Sequence, residues 1–193
     1  MSRKINSHNR TDVFIDGDEI SIYSKMLDKR IIFIDDELLP EFCNLIKAQL
    51  LYLDSISNDD ITLMIDSPGG DIYTSLGLID TMDMVKSDII TINIGLCASM
   101  AAIILSCGTK GKRKSLKRSR VMIHQPLTSI EGYKQATDIE IESKEMNSLK
   151  KELYEILSER TGQTYKKVKK NSERDYYLTT KKALKYGIID IIL

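Results

Sequence analysis

Ser99 and His124 are the two residues of this chain best placed, by type and position, to act as a nucleophile and its base. Ser99 stands in Gly95-Leu96-Cys97-Ala98-Ser99-Met100-Ala101-Ala102. A hydroxyl is a weak nucleophile until a base takes its proton as it attacks, and histidine suits that task near neutral pH. There are two histidines, His8 and His124. His8 falls in a polar leading segment, so His124 is the one placed within the folded body. A third feature is the turn Ser67-Pro68-Gly69-Gly70. Proline fixes its entry, and its glycines let backbone N–H groups point into open space. Acyl transfer through a serine needs such donors for the tetrahedral oxyanion, and losing one typically costs about 2.7–4 kcal/mol of transition-state stabilisation. The natural donors are the N–H groups of Gly70 and of Met100, the residue after the nucleophile.

Each feature also has a plainer reading. Ser99 can serve as a helix cap, His124 as a histidine satisfied by backbone contacts, and the glycine pair as an ordinary turn. A serine–histidine pair calls for a third group to orient the imidazole. Aspartates are plentiful and composition does not choose among them. Asp175, in Ser172-Glu173-Arg174-Asp175, is a candidate by position alone, its plainer reading being a solvated carboxylate. Ser99 sits in neither a G-x-S-x-G elbow nor an S-x-x-K pair, and the glycine turn lacks the G-K-[ST] of a phosphate loop.

The elements that must hold these residues alternate between strand and helix. Ile31 to Ile34 reads as a buried strand, and Pro40 to about Ser55 as a helix with an apolar stripe through Phe42, Leu45, Ile46, Leu50 and Leu53. Ile61 to Ile65 is a strand ended by the glycine turn. Asp71 opens a helix carrying Ile72, Leu76, Ile79, Met82 and Val85. Ile89 to Ile94 is a strand, followed by a tight turn and a helix from Met100. Arg120 to Ile123 is a strand that ends at His124. This order is an α/β signature, with the serine and the histidine both at strand ends. From about Tyr133 to Thr161 the pattern changes to near-heptad apolar spacing through Ile139, Met146, Leu149, Leu153 and Ile156, without Gly or Pro. At roughly 1.5 Å per residue, such a helix outreaches a small domain, so it is expected to project and bury its stripe on another subunit. The plainer alternative is a helix broken in two and packed on its own core. Gly162 stops it, and Tyr177 to Leu193 closes the chain with a short helix and an apolar end.

Bulk properties narrow the class. The 193 residues fit one domain, read here as residues 19–193 behind a polar, mobile arm over residues 1–18. Formal net charge is zero, which argues against nucleic-acid binding through bulk charge. The basic run from Lys110 to Arg120 is therefore read as a solvated face. No apolar run is long enough to span a membrane, and the start Met1-Ser2-Arg3-Lys4 lacks the apolar core of a secretory signal. A cytoplasmic protein is the expectation. Cys43, Cys97 and Cys107 form no C-x-x-C pair, so neither a disulfide framework nor a metal site is expected, and Cys97 reads as a small buried hydrophobe.

Read together, the runs resemble the ClpP family, the proteolytic subunits of Clp proteases, over about residues 20 to 193. They occur in family order: Ile22-Tyr23-Ser24 then Arg30, Ser67-Pro68-Gly69-Gly70, Ala98-Ser99-Met100, Lys110-Gly111-Lys112-Arg113 and Ser119 to Pro126. Gln135-Ala136-Thr137-Asp138-Ile139, Thr161-Gly162, Glu173-Arg174-Asp175 and Tyr186-Gly187 follow. The resemblance implies an α/β crotonase-like spiral of strand–helix units with a protruding handle helix, here at about 133–161. It implies a serine endopeptidase with Ser99 as nucleophile, His124 as base and then acid, and Asp175 as orienting carboxylate. Gly70 and Met100 match the oxyanion donors, and Glu173 and Arg174 match ring–ring contacts. It further implies two stacked heptameric rings fed with unfolded protein by a ClpX- or ClpA-type AAA+ ATPase, which consumes the ATP. No cofactor or metal is implied for the chain itself. Thr62, Met64, Ile92, Ile94, Lys114 and Leu116 match the ATPase-docking cleft.

The chain departs from the family in four places. Asp66 stands where asparagine is commoner. The arm does not match the usual axial loop, and Leu127 to Tyr133 is less rich in glycine than the family's substrate-pairing strand. Thr62, Met64 and Lys114 stand where aromatic residues are usual. Two rival readings remain at this stage: a catalytically silent subunit of a mixed ring, and a crotonase-type acyl-CoA enzyme.

Overall fold

The computed structural model describes residues 12–15, 18–127, 133 and 135–193. Strands β1 (Asp12–Ile15) and β2 (Asp18–Ser21) form an antiparallel pair, followed by helix α1 (Ile22–Leu27). Residues 12–15 of the expected arm are thus a strand, and residues 1–11, 16 and 17 lie outside the described ones.

A seven-stranded sheet follows. It contains β3 (Ile31–Ile34), β4 (Ile61–Ser67), β5 (Ile89–Ala98), β6 (Arg113–Ser115), β7 (Arg120–Ile123), β8 (Tyr176–Thr179) and β9 (Ile191–Ile192). The main path runs β3-β4-β5-β6-β9, while β7 pairs with the far end of β5 and with β8. Every pairing is parallel except β7 with β8. The α/β architecture read from the alternating pattern is the one observed. On β4 the residues Ile61, Leu63, Ile65 and Ser67 are buried while Thr62 and Met64 face the other side, the period of two that one packed face imposes.

Helices α2 (Pro40–Ile56), α3 (Ile72–Met84) and α4 (Met100–Ser106) cover the buried face. Helix α2 begins with its proline at the first position, where the missing N–H costs nothing. It buries Ile46, Leu50 and Leu53 of the expected stripe together with Cys43 and packs Phe42 partly against the core, and only Leu45 of that stripe is left exposed. Asp71 caps α3 by accepting from Thr74 N–H at 2.8 Å, and Val85 is the C-cap rather than a helical residue. The strand expected over 89–94 continues to Ala98, so the turn before α4 is Ser99 alone.

The long helix α5 (Ala136–Thr161) starts three residues later than expected and ends at Gly162, whose φ of 71° is the left-handed conformation of a C-terminal stop. At about 1.5 Å per residue its 26 residues span about 39 Å. Its two halves behave differently. Leu149, Leu153, Tyr154 and Leu157 enter the core, whereas Ile139 and Ile141 are 43% and 60% exposed. Helices α6 (Tyr165–Asn171) and α7 (Thr180–Tyr186) complete the chain. The basic run is not a uniformly solvated face. Arg113 is buried and forks onto Asp190, with Nε 2.8 Å from Oδ2 and Nη2 2.6 Å from Oδ1, while Lys112 bridges Asp60 and Asp88.

Candidate active site

Strand order brings the chemistry together. Ala98 on β5 pairs with Met122 on β7, so Ser99 and His124 both emerge just past the carboxyl ends of neighbouring parallel strands. Ser99 N–H continues that ladder, donating to Met122 O at 2.9 Å. Ile123 on β7 pairs with Tyr176 on β8 in antiparallel register. One step further along both strands lie His124 and Asp175.

The side chains complete the line. His124 Nε2 is 2.8 Å from Ser99 Oγ, and His124 Nδ1 is 3.4 Å from Asp175 Oδ1. The second contact is longer than a strong hydrogen bond and leaves the Asp175 side chain 59% exposed, against 13% for His124. Ser99 occupies the N-cap position of α4, yet its side chain makes no cap hydrogen bond. The hydroxyl is turned to the imidazole instead, which removes the plain capping explanation. Its backbone has φ 55° and ψ −126°, a conformation L-residues rarely adopt and one that costs of order 1–3 kcal/mol.

The glycine turn is pressed against this corner. A Cβ on Gly69, whose φ is 93°, would lie 2.7 Å from Ala98 O and from Ser99 Cβ. A Cβ on Gly70 would lie 2.6 Å from Leu38 O. Leu38 brackets Gly70 through Leu38 N–H to Gly69 O and Asp71 N–H to Leu38 O, both at 2.9 Å. Gly70 N–H has no acceptor among the described residues, and Met100 N–H lies in the first turn of α4, where no intrahelical acceptor exists. Both expected donors therefore remain available beside Ser99. Asp66 has a structural part that the sequence reading did not assign. Its Oδ1 accepts from Leu96 N–H at 2.8 Å where the β4–β5 register shifts, and Gly95 leaves room for that carboxylate.

A cleft of about 220 Å³ adjoins Ser99 and His124, lined by Ile72, Ile103, Met122, Pro126, Leu127 and Leu153. A wider cleft of about 820 Å³ shares Gly70, Ile72 and Leu127 with it and is walled by the start of α5. Cys97 is fully buried with its thiol directed at Ile65 O, and burial pushes that thiol well up from its ordinary range. It packs as a small hydrophobe.

Two groups of expected residues are not part of this line of side chains. Glu173 and Arg174 are exposed in the loop before β8, where Gln125 Nε2 donates to Glu173 O at 2.9 Å. Thr62, Met64, Ile92, Ile94, Lys114 and Leu116 gather on the outward face of the sheet. The departure from glycine-rich sequence after Leu127 concerns residues 128–132, which lie outside the described ones.

The sequence profile of the Clp protease family matches residues 16–193. The chain belongs to the Clp protease family. It is 49% identical to ATP-dependent Clp protease proteolytic subunit 1 of Prochlorococcus marinus (strain MIT 9312) over 173 residues, covering 89% of this chain and 88% of that one. It is 46% identical to the ATP-dependent Clp protease proteolytic subunit of Bacteroides fragilis (strain ATCC 25285) over 176 residues, 91% of this chain and 84% of that one. The corresponding subunit of Porphyromonas gingivalis is also 46% identical, over 91% of this chain and 78% of its own length. In this Clp protease family member no helix among the described residues is long and apolar enough to cross a membrane.

Proposed function

We propose that the chain is a serine endopeptidase subunit of a self-compartmentalising Clp protease, with Ser99 as nucleophile, His124 as base and acid, and Asp175 as orienting carboxylate. The observation that carries this is the 2.8 Å approach of Ser99 Oγ to His124 Nε2 at a corner where the serine caps nothing. Ser99 Oγ attacks the scissile carbonyl carbon as Nε2 takes its proton. The oxyanion lies against the N–H groups of Gly70 and Met100. Nε2 then protonates the leaving amine, giving an acyl-enzyme that water hydrolyses by the reverse proton path. Asp175, beside Nδ1, favours the tautomer with its proton on Nδ1 and steadies the imidazolium. Side chains and water suffice, so the chain needs no cofactor of its own. The apolar lining of the smaller cleft favours an apolar residue on the acyl side of the cut.

The family relationship supports a protease domain over residues 19–193, two stacked heptameric rings and a cytoplasmic setting. It also supports feeding of unfolded protein by a ClpX- or ClpA-type AAA+ ATPase that consumes ATP. Serine-reactive fluorophosphonate should label the wild-type chain and fail on Ser99→Ala; labelling that persists in the variant overturns the assignment. A chain that assembles yet cleaves nothing would be the silent subunit. Turnover of a CoA thioester that survives Ser99→Ala would mark an acyl-CoA enzyme.

A further inference from the structure

The sheet has a second face, and its register lays the side chains out in rows. Phe33, Met64, Ile92, Lys114 and Ile191 are successive partners across five parallel strands, so their side chains leave the sheet on one side. Their neighbours in sequence, Leu63, Thr91, Arg113 and Ser115, are buried on the other. At the β3 end the row is closed by Tyr23, whose ring meets Phe33 edge-on with centroids 5.1 Å apart. At the other end it is open: Leu116 and Ile191 are 40% and 41% exposed.

One cation stands in the middle of this apolar ground. Lys112 is held by Asp60 and Asp88 at 2.7 and 2.8 Å, and Arg113 by Asp190. Lys114 has no hydrogen bond or ion pair among the described residues. Lys114 stands between Ile92 and Ile191, its partners on the two neighbouring strands. No carboxylate of the described residues answers it, and the basic run continues through Lys117 and Arg118, which form no ion pair among them either. A carboxylate delivered here by an apolar segment would be partly withdrawn from water, where an ion pair is worth more than on an open surface.

We propose that this face docks a partner protein through an apolar peptide segment bearing one aspartate or glutamate, whose carboxylate pairs with Lys114. The proposal rests on the reading of this face as the docking cleft and adds the chemistry of what enters it. The side chains of Met64, Ile92, Ile94 and Leu116 supply the apolar contact. Lys114 supplies selection, because an uncharged or basic segment leaves its ammonium either buried without a partner or repelled.

The test uses the whole chain with Ser99 first blocked by fluorophosphonate, so that the active-site cleft is occupied. Two fluorescein-labelled, amidated peptides, Leu-Asp-Phe-Leu-Gly and Leu-Asn-Phe-Leu-Gly, are titrated by anisotropy at low ionic strength. The aspartate peptide should bind about five- to tenfold more tightly, and the difference should shrink as salt screens the pair. Lys114→Met should bind both peptides alike, and Lys114→Glu should prefer a lysine counterpart. Equal binding of the aspartate and asparagine peptides to the unsubstituted chain, or a difference that persists in Lys114→Met, overturns the carboxylate assignment while leaving docking intact. Binding of neither peptide overturns the docking reading itself. Native mass should be the same for Lys114→Glu and the unsubstituted chain; a change in subunit number shows that a second copy covers this face and overturns the proposal.

Discussion

Ser99 is held where its backbone is least comfortable. A left-handed φ suits glycine and penalises any residue with a Cβ, so the position should trade stability against chemistry. Ser99→Gly should melt higher than Ser99→Ala, by the equivalent of about 1 kcal/mol in scanning calorimetry, while both lose fluorophosphonate labelling. Equal melting temperatures would show that the strain lies elsewhere. Gly69 bounds the same corner from outside. Gly69→Ala forces a Cβ to within 2.7 Å of Ala98 O and of Ser99 Cβ, so it should unfold at lower denaturant and cleave peptide at least tenfold more slowly. At this scale the sequence was informative where chemistry is local. The serine, the scarce histidine and the glycine pair were visible as types in a row. What it did not show was why the first glycine is needed, since that answer lies in a contact with Ala98, 29 positions away.

Strands and helices turn those types into a geometry, and here legibility falls. The helices α2 and α3 were readable from their stripes and from Pro40 and Asp71. Strand β8 was not, because four residues with Tyr176, Tyr177 and Thr179 exposed carry no clear alternation. Yet β8 is the element that selects Asp175 among many aspartates, by pairing Tyr176 with Ile123. Pattern alone left that residue a candidate; the family resemblance named it. The loop before β8 has one further tie, the amide of Gln125 on Glu173 O. Gln125→Ala should loosen the loop and lower kcat for a fluorogenic peptide by about tenfold, with KM little changed, while Gln125→Asn, one methylene shorter, recovers only part. A change confined to KM would instead place Gln125 in substrate binding.

For the whole molecule the question is what holds the far ends together and what is left open. The buried fork of Arg113 on Asp190 ties β6 to the residue before β9, and Arg113 Nη1 also donates to Arg160 O at the end of α5. Burial pushes the Asp190 carboxyl up, but the Arg113 guanidinium and the N–H groups of Arg113 and Gly111 outweigh it and hold it below the ordinary aspartate value. A lowered carboxyl stabilises the fold fully above the ordinary value and ceases to do so as pH falls through the lowered one. Asp190→Asn should therefore cost about 3 kcal/mol in urea unfolding at neutral pH and much less in acid. An equal cost at both would remove Asp190 from acid unfolding. The exposed half of α5 makes a different prediction. Ile141→Asp should leave the subunit folded but lower the native mass of the assembly, because Ile139 and Ile141 have no core of their own to enter.

The antiparallel pairing of β7 and β8 also bears on which length changes the chain can absorb. Between Gly162 and Arg174 a residue more or fewer shifts mostly exposed turns of α6, and Asp175 can still arrive opposite His124. Between Asp175 and Thr179 a single insertion either reverses the side chains that follow it or, if those keep their register, carries the carboxylate to the wrong side of the strand. Natural and engineered variants should therefore differ in length freely on one side of Asp175 and hardly at all on the other.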